Sequence, residues 1–275
     1  MNVGLVISDD KIKKYELKEL TNLLNSKYKI SYIFSEKKIK FKNNKIYAIF
    51  SSIMRNKLFY LIYLEQKISS LLNNQNSYLE HLKLLEKKIN IFNEFPILNE
   101  IPKIEFECSK VDNKFSFHKD MIEVIRKNCD ILILLGFNKV LHPKILDITR
   151  HGILSFHTAN INRYRGRPAA FNEFINNEKY GGLTLQILAE QIDFGKIVEL
   201  REVEIENAKS FDETLYKMMC LKEDLIIRGL DKINNNEKFL KPKNKNRLST
   251  LAESRKFSKV YSCLKKTINR RYFAN

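Results

Sequence analysis

The 275-residue sequence predicts an open, mostly parallel α/β sheet followed by a basic, helical C-terminal extension. The chain opens with a strand–helix–strand pattern. It contains the uninterrupted apolar run Ile131–Leu135, as strands covered on both faces do. From Ile104 onward, short apolar runs alternate with helical spacing, which is the signature of parallel strands joined by helices.

Asn2–Ser8 is apolar and runs into Asp9 and Asp10, so it reads as a central strand entering a polar loop. Leu17, Leu20, Leu23 and Leu24 within Tyr15–Leu24 are spaced for a helix, and the β-branched and aromatic Ile30–Phe34 for a strand. Ile46–Leu72 is expected as one long helix or two joined helices, Asn73–Ser77 as a polar break and Tyr78–Lys88 as a further helix. Their apolar–basic faces suit core packing with lysines reaching outward; a partner surface is the alternative. Ile104–Cys108 reads as a strand, Asp120–Lys127 as a helix, Pro143–Thr149 as a helical turn and Gly152–Phe156 as the next strand. Pro168 opens a short helix at its first turn. Gly182–Ala189 and Lys196–Leu200 are strands flanking a loop, and Phe211–Ile233 reads as one long amphipathic helix. Beyond Asn234 the chain is basic and irregular, with a helical stretch around Ser258–Ile268.

The net charge of +17 raises a nucleic-acid reading. Its rival is a Lys-, Asn- and Ile-rich composition of the kind that base bias in a genome produces, since the lysines are spread along the whole chain. Only the tail from Lys238 concentrates them (Lys241, Lys243, Lys245, Arg247, Lys265, Lys266, Arg270, Arg271), as a phosphate-contacting segment or a solvated end. No apolar run approaches the ~18–20 residues of a membrane span, and the start does not read as a signal peptide. Cys108, Cys129, Cys220 and Cys263 are widely separated with no CxxC, which argues against a zinc site or disulfide framework and fits a reducing cytoplasm.

Six of the eight glycines lie between Asp130 and Leu200, so the special backbone geometry is concentrated there. Ser155 and His157, two apart on a strand, project from one face at its C-terminal end, where open α/β sheets place ligands. Asp193 follows in a loop eased by Gly195, and a carboxylate beside an imidazole would orient it. The residues alone leave catalysis and a structural role both open: a histidine at a strand end is often structural, and Asp-x-Gly is a common turn. A hydrolase triad is disfavoured, because Ser155 lies between Leu154 and Phe156 and not in a GxSxG elbow.

The run HGILSFHTANINRYRGRPAAFNEFINNE, with GGLTLQILAEQIDFGKIV after it, resembles the core of the folate-dependent formyltransferase family. The family pattern is a strand ending in Asn-x-His, a loop to Tyr-Arg-Gly, a helix, a Gly-x-Thr strand and Asp-x-Gly. His157, Tyr164, Arg165 and Gly166, then Gly182 to Thr184, then Asp193 with Gly195 match in order, and DILILLGFNKVL resembles the segment lining the folate pocket. The match is strong over about a quarter of the chain. It implies a Rossmann-like domain of the formyltransferase type over 1–206 and an extension over 207–275.

The resemblance also implies an activity: transfer of a formyl group from 10-formyltetrahydrofolate to an amine, with no metal. His157 would stabilise the oxyanion, Asp193 would hold His157 and help move the amine's proton, and Ser155 would stand where the family has asparagine. Gly136, Phe137, Asn138, Lys139, Val140 and Leu141, with Leu188 and Ile192, would cradle the folate. Asn160, Arg163, Tyr164, Arg165, Gly166 and Thr184 would serve the acceptor side, the arginines with Arg167 pairing with a diphosphate. For Ser155 three readings stay open: a hydroxyl aided by water, a donor supplied instead by Asn160, or a different donor or lost activity. A glycinamide ribonucleotide acceptor is disfavoured because SDDKIKKYE replaces a glycine-rich phosphate loop, and a methionyl-tRNA acceptor because a larger C-terminal barrel is expected after Glu206. An amino sugar on a nucleotide carrier, for a surface polysaccharide, is the expectation that remains. The rival from another class is a binding or regulatory protein acting through its basic tail; a homodimer is left open.

Overall fold

A computed structural model of the chain describes residues 1–37, 59–72, 78–243 and 248–273. The first part of the expected helix Ile46–Leu72, the break Asn73–Ser77, and Lys245 and Arg247 of the tail lie outside the described residues.

Thirteen strands are present among the described residues: β1 (Asn2–Ser8), β2 (Lys11–Lys13), β3 (Lys29–Glu36), β4 (Lys88–Asn90), β5 (Lys103–Phe106), β6 (Ser109–Val111), β7 (Lys114–Ser116), β8 (Ile131–Leu134), β9 (Ile153–His157), β10 (Arg165–Gly166), β11 (Tyr180–Ile187), β12 (Lys196–Glu204) and β13 (Leu248–Ser249). Nine form one sheet. Its parallel centre runs β9-β8-β1-β3-β5; β11 and β12 extend it antiparallel beyond β9, and β2 and β4 fold back from the end of β1.

The sheet is covered on both faces, and the strand period of two shows it. Val3, Leu5, Ile7, Ile131, Ile133 and Leu154 pack with Leu20, Leu23, Leu225, Ile226 and Leu230 on one face. Val6, Leu132, Leu134 and Ile153 pack with Met121 and Ile125 on the other. Ile131–Leu134 is therefore apolar at every position because neither side meets water.

Two expectations are corrected here. Phe211–Ile233 is not one helix: it breaks into Phe211–Met219 and Leu225–Asn234. Apolar periodicity runs through the break, but the Glu19 carboxylate accepts from the backbone N–H groups of Leu225 and Ile226 (2.9 and 3.1 Å), fixing a second helix start, while Lys222 turns inward to Glu16 (3.1 Å). The tail is not simply a solvated end either: the helical stretch expected around Ser258–Ile268 forms and packs against the rest of the fold. Phe257–Ile268 is a helix whose Val260 and Cys263 share a core with Ile62, Phe171 and Phe174. Arg271 pairs with Glu65 and Asp212 (3.1 and 2.8 Å), and Arg270 donates to the Ala208 carbonyl (2.7 Å). No helix of the described residues is long and apolar enough to cross a membrane.

Candidate active site

The parallel strands β8 and β9 both end at one rim of the sheet, beside the point where β3 and β8 diverge from β1. A cleft of about 520 Å³ opens there, within the range of small-molecule sites. Its apolar wall is Leu134, Phe137, Leu141, Leu146 and Leu188, and its polar edge carries Ser155, Gln186, Arg167 and Asp193.

Strand parity sets Ser155 and His157 on the same face as Ile153, toward the cleft, and Phe156 on the other. Ser155 lines the cleft and makes no side-chain hydrogen bond among the described residues. His157, 8% exposed, is tucked behind the cleft wall. Its Nδ1 lies 3.4 Å from Asp193 Oδ1 and its Nε2 3.1 Å from the Tyr164 carbonyl oxygen. Both ring nitrogens thus face oxygen atoms.

Asp193 sits in left-handed backbone (φ 49°), a conformation Asp tolerates better than most residues. Its Oδ2 accepts from the Gly166 N–H at 2.8 Å. Arg165 grips the same turn, donating to the Ile192 and Asp193 carbonyls, and Gln186 Oε1 accepts the Gly195 N–H at 2.9 Å. A Cβ at Gly195 would stand 2.1 Å from the Ile187 carbonyl oxygen, so the acid turn presses directly on β11. The result is a carboxylate fixed at the cleft wall with an imidazole locked behind it.

The residues expected to hold the folate divide. Phe137, Asn138, Lys139, Val140, Leu141, Leu188 and Ile192 line the cleft. Gly136 (φ 69°) lines a smaller side chamber of about 70 Å³ that shares Leu134, Phe137, Asn138, Ser155 and Phe156 with the cleft. Lys139 is ion-paired with the buried Glu36. On the acceptor side, Gly166 lines the cleft, but several neighbours turn elsewhere. Asn160 does not reach toward Ser155: its amide donates to Glu202 (3.0 Å) and accepts from the Asn162 N–H (2.9 Å). Thr184 is buried, bonding the Ala159 carbonyl at 2.7 Å to hold the loop after β9. Arg163 and Tyr164 bond Glu178 (3.2 and 2.6 Å) and, with Arg165, border a separate groove.

Sequence reasoning missed two contributors. Ser249 and Thr250 complete the cleft wall because β13 pairs in parallel with β10. Glu16 and Lys222 line the side chamber, the Lys222 ammonium resting 3.7 Å from the centre of the Phe156 ring. Nothing local marks either pair; each exists through long-range packing. Among the described residues no cluster of His, Cys, Asp or Glu is arranged to hold a metal ion.

Residues 93–228 match the protein family described as formyl transferase. The chain is similar to the methionyl-tRNA formyltransferase of Thermotoga neapolitana, at 30% identity over 124 residues, covering 45% of this chain and 40% of that protein. It is similar to that of Fusobacterium nucleatum at 25% over 154 residues, covering 55% and 47%. The matches thus span less than half the length of these curated relatives. Among solved structures, the fold is shared with a phosphoribosylglycinamide formyltransferase from Anaplasma phagocytophilum (TM-score 0.55, 16% identity, 91% of this chain and 98% of that one). It is also shared with an N-formyltransferase from Helicobacter canadensis in complex with folinic acid and dTDP-3-aminofucose (TM-score 0.54, 14% identity, 99% and 82%). A serial match of motifs, a matching fold and a domain match over most of the cleft-forming residues agree: residues 93–228 of this chain are a domain of the formyltransferase family.

Proposed function

We propose that the protein transfers a formyl group from 10-formyltetrahydrofolate to a primary amine, and that the amine is carried by an amino sugar on a nucleotide. The observation that carries the reading is Asp193 at the wall of the 520 Å³ cleft, held by the Gly166 N–H and backed by His157. The cleft suits a flat heteroaromatic donor: apolar Leu134, Phe137, Leu141 and Leu188 offer faces, and the chain of Ala189–Asp193 offers backbone polar groups at the edge. The donor supplies an activated formyl carbon. Attack forms a bond from the amine nitrogen to that carbon, the bond to the folate nitrogen breaks, and one proton passes from the amine to the departing nitrogen.

The chain's own groups divide that work. The Ser155 hydroxyl on the cleft wall donates to the formyl oxygen as negative charge builds there. The Asp193 carboxylate accepts the amine's proton and returns it. His157 fixes Asp193 and offsets the charge on the oxygen. Support for a nucleotide-sugar acceptor comes from folds whose match runs through the C-terminal helices: the Helicobacter canadensis protein, and a sugar N-formyltransferase from Shewanella sp. at TM-score 0.55 over the full chain. A second reading, a methionyl-tRNA acceptor, is favoured by the curated relatives and by the net charge of +17.

The test is calorimetric binding of the stable 5-formyltetrahydrofolate, followed by assay of tetrahydrofolate release with dTDP-linked amino sugars and with methionyl-tRNA. Asp193→Asn and His157→Asn should each abolish turnover and leave the melting temperature within about 2 °C, whereas full activity in either variant would sink the mechanism. Turnover with methionyl-tRNA alone would replace the sugar acceptor.

A further inference from the structure

A second groove, of about 490 Å³, borders the β10–β13 ribbon and shares Ser249 with the cleft. Its wall brings together Arg163 and Arg165 from the loop after β9 with Lys256 and Lys259 from the C-terminal extension, and Glu253 is the one acidic side chain on it. Glu253 is already engaged, forming reciprocal hydrogen bonds with Thr250 (3.2 Å each). Lys256 and Lys259 form no ion pair among the described residues, in contrast to Lys266, Arg270 and Arg271 farther along, which are turned into the fold. Lys256 and Lys259 therefore bring two uncompensated charges to this groove. Ser258 adds a hydroxyl donor to the same wall.

Arg163 is already paired with Glu178 and Arg165 with the acid turn, so Lys256 and Lys259 carry the uncompensated charge; facing one internally bonded carboxylate in a concave site of small-molecule size, they suit a compact polyanion with several acceptor oxygens. Extended nucleic acid would be better served by a stripe along the surface than by a bounded groove. Arg165 ties the groove to the chemistry: it borders the groove while its guanidinium donates to the Ile192 and Asp193 carbonyls of the acid turn.

We propose that this groove binds the diphosphate of the acceptor, with Lys256 and Lys259 of the C-terminal extension as its binding residues, so that the acceptor reaches from the groove past Gly166 to Ser155. The identification of the ligand as an acceptor rests on the formyl-transfer reading; the affinity of the groove for a diphosphate does not.

The experiment is titration calorimetry of the full chain with inorganic pyrophosphate and with UDP, with 5-formyltetrahydrofolate titrated separately. Both anions should bind, more weakly as salt is raised, and Lys256→Ala/Lys259→Ala should weaken both by about tenfold or more, the loss expected for charge-assisted contacts. Folate binding and melting temperature should not change in that variant. Failure of both anions to bind at millimolar concentration, or unaltered binding in the double variant, would overturn the proposal, as would retention of an RNA hairpin by a protein that binds neither anion. Folate binding without diphosphate binding would remove only the groove; diphosphate binding without folate binding would remove only the formyl-transfer reading.

Discussion

Replacing Glu173 with glutamine should stabilise the protein at pH 8 relative to its effect at pH 5. Glu173 lies in the short helix Phe171–Ile175 that follows the Arg165–Gly166 loop, is 2% exposed, and leaves Oε1 without a hydrogen-bond partner among the described residues. Burial, with a smaller contribution from the nearby Glu178 charge, pushes its carboxyl group up to about 7 from an ordinary 4.5. The folded state therefore holds a proton that the unfolded chain has released. Its stabilising effect is complete below pH ~4.5, falls as pH rises, and is spent above pH ~7, a span of about 3 kcal/mol at 1.36 kcal/mol per tenfold change in proton affinity. Glutamine keeps the shape and cannot ionise. Urea denaturation of both proteins at pH 5 and pH 8 isolates this group from every other that titrates. The stability difference between variant and wild type should shift by about 2–3 kcal/mol in favour of the variant at pH 8. A difference constant to within ~0.5 kcal/mol across that range would refute the reasoning.

Lys222→Met should destabilise the fold by about 3–5 kcal/mol in denaturant melts, because it strands the Glu16 carboxylate in a site where both partners are 5% exposed. Glu16→Gln made together with it should recover part of that loss, and an unchanged double variant would argue against the pair. Gly195→Ala should loosen the acid turn, since its Cβ meets the Ile187 carbonyl at 2.1 Å; the expected loss is about 2 kcal/mol or more, with turnover falling further than folate binding. Ser155→Ala should lower kcat by roughly 10-fold to 10³-fold with folate affinity intact, while an unaltered kcat would remove the hydroxyl from the mechanism.

What the sequence made legible was governed by short-range periodicity and by ordered motifs. Ile131–Leu134 and Ile153–His157 stand where their apolar runs placed them, and the alternation that turns Ser155 toward the cleft follows from strand geometry alone. The break after Met219 was hidden because its cause, the carboxylate of Glu19, is about 200 positions away. Asn160 illustrates the converse limit. A polar residue three positions past His157 invites a catalytic role, yet Glu202 on β12 and the Asn162 N–H take up its amide. The small ribbon of β10 and β13 had no local signal either, as two residues on each side cannot display a period.

That ribbon governs when the cleft comes into being. Arg165–Gly166 emerges from synthesis well before its partner Leu248–Ser249, and Ser249 and Thr250 form part of the cleft wall. While the chain is being made N-terminal end first, the central strands β1, β3, β8 and β9 can all pair before that wall exists. Until residues 248–250 have been made, the parallel centre of the sheet can be complete while the cleft still lacks the part of its wall that Ser249 and Thr250 supply.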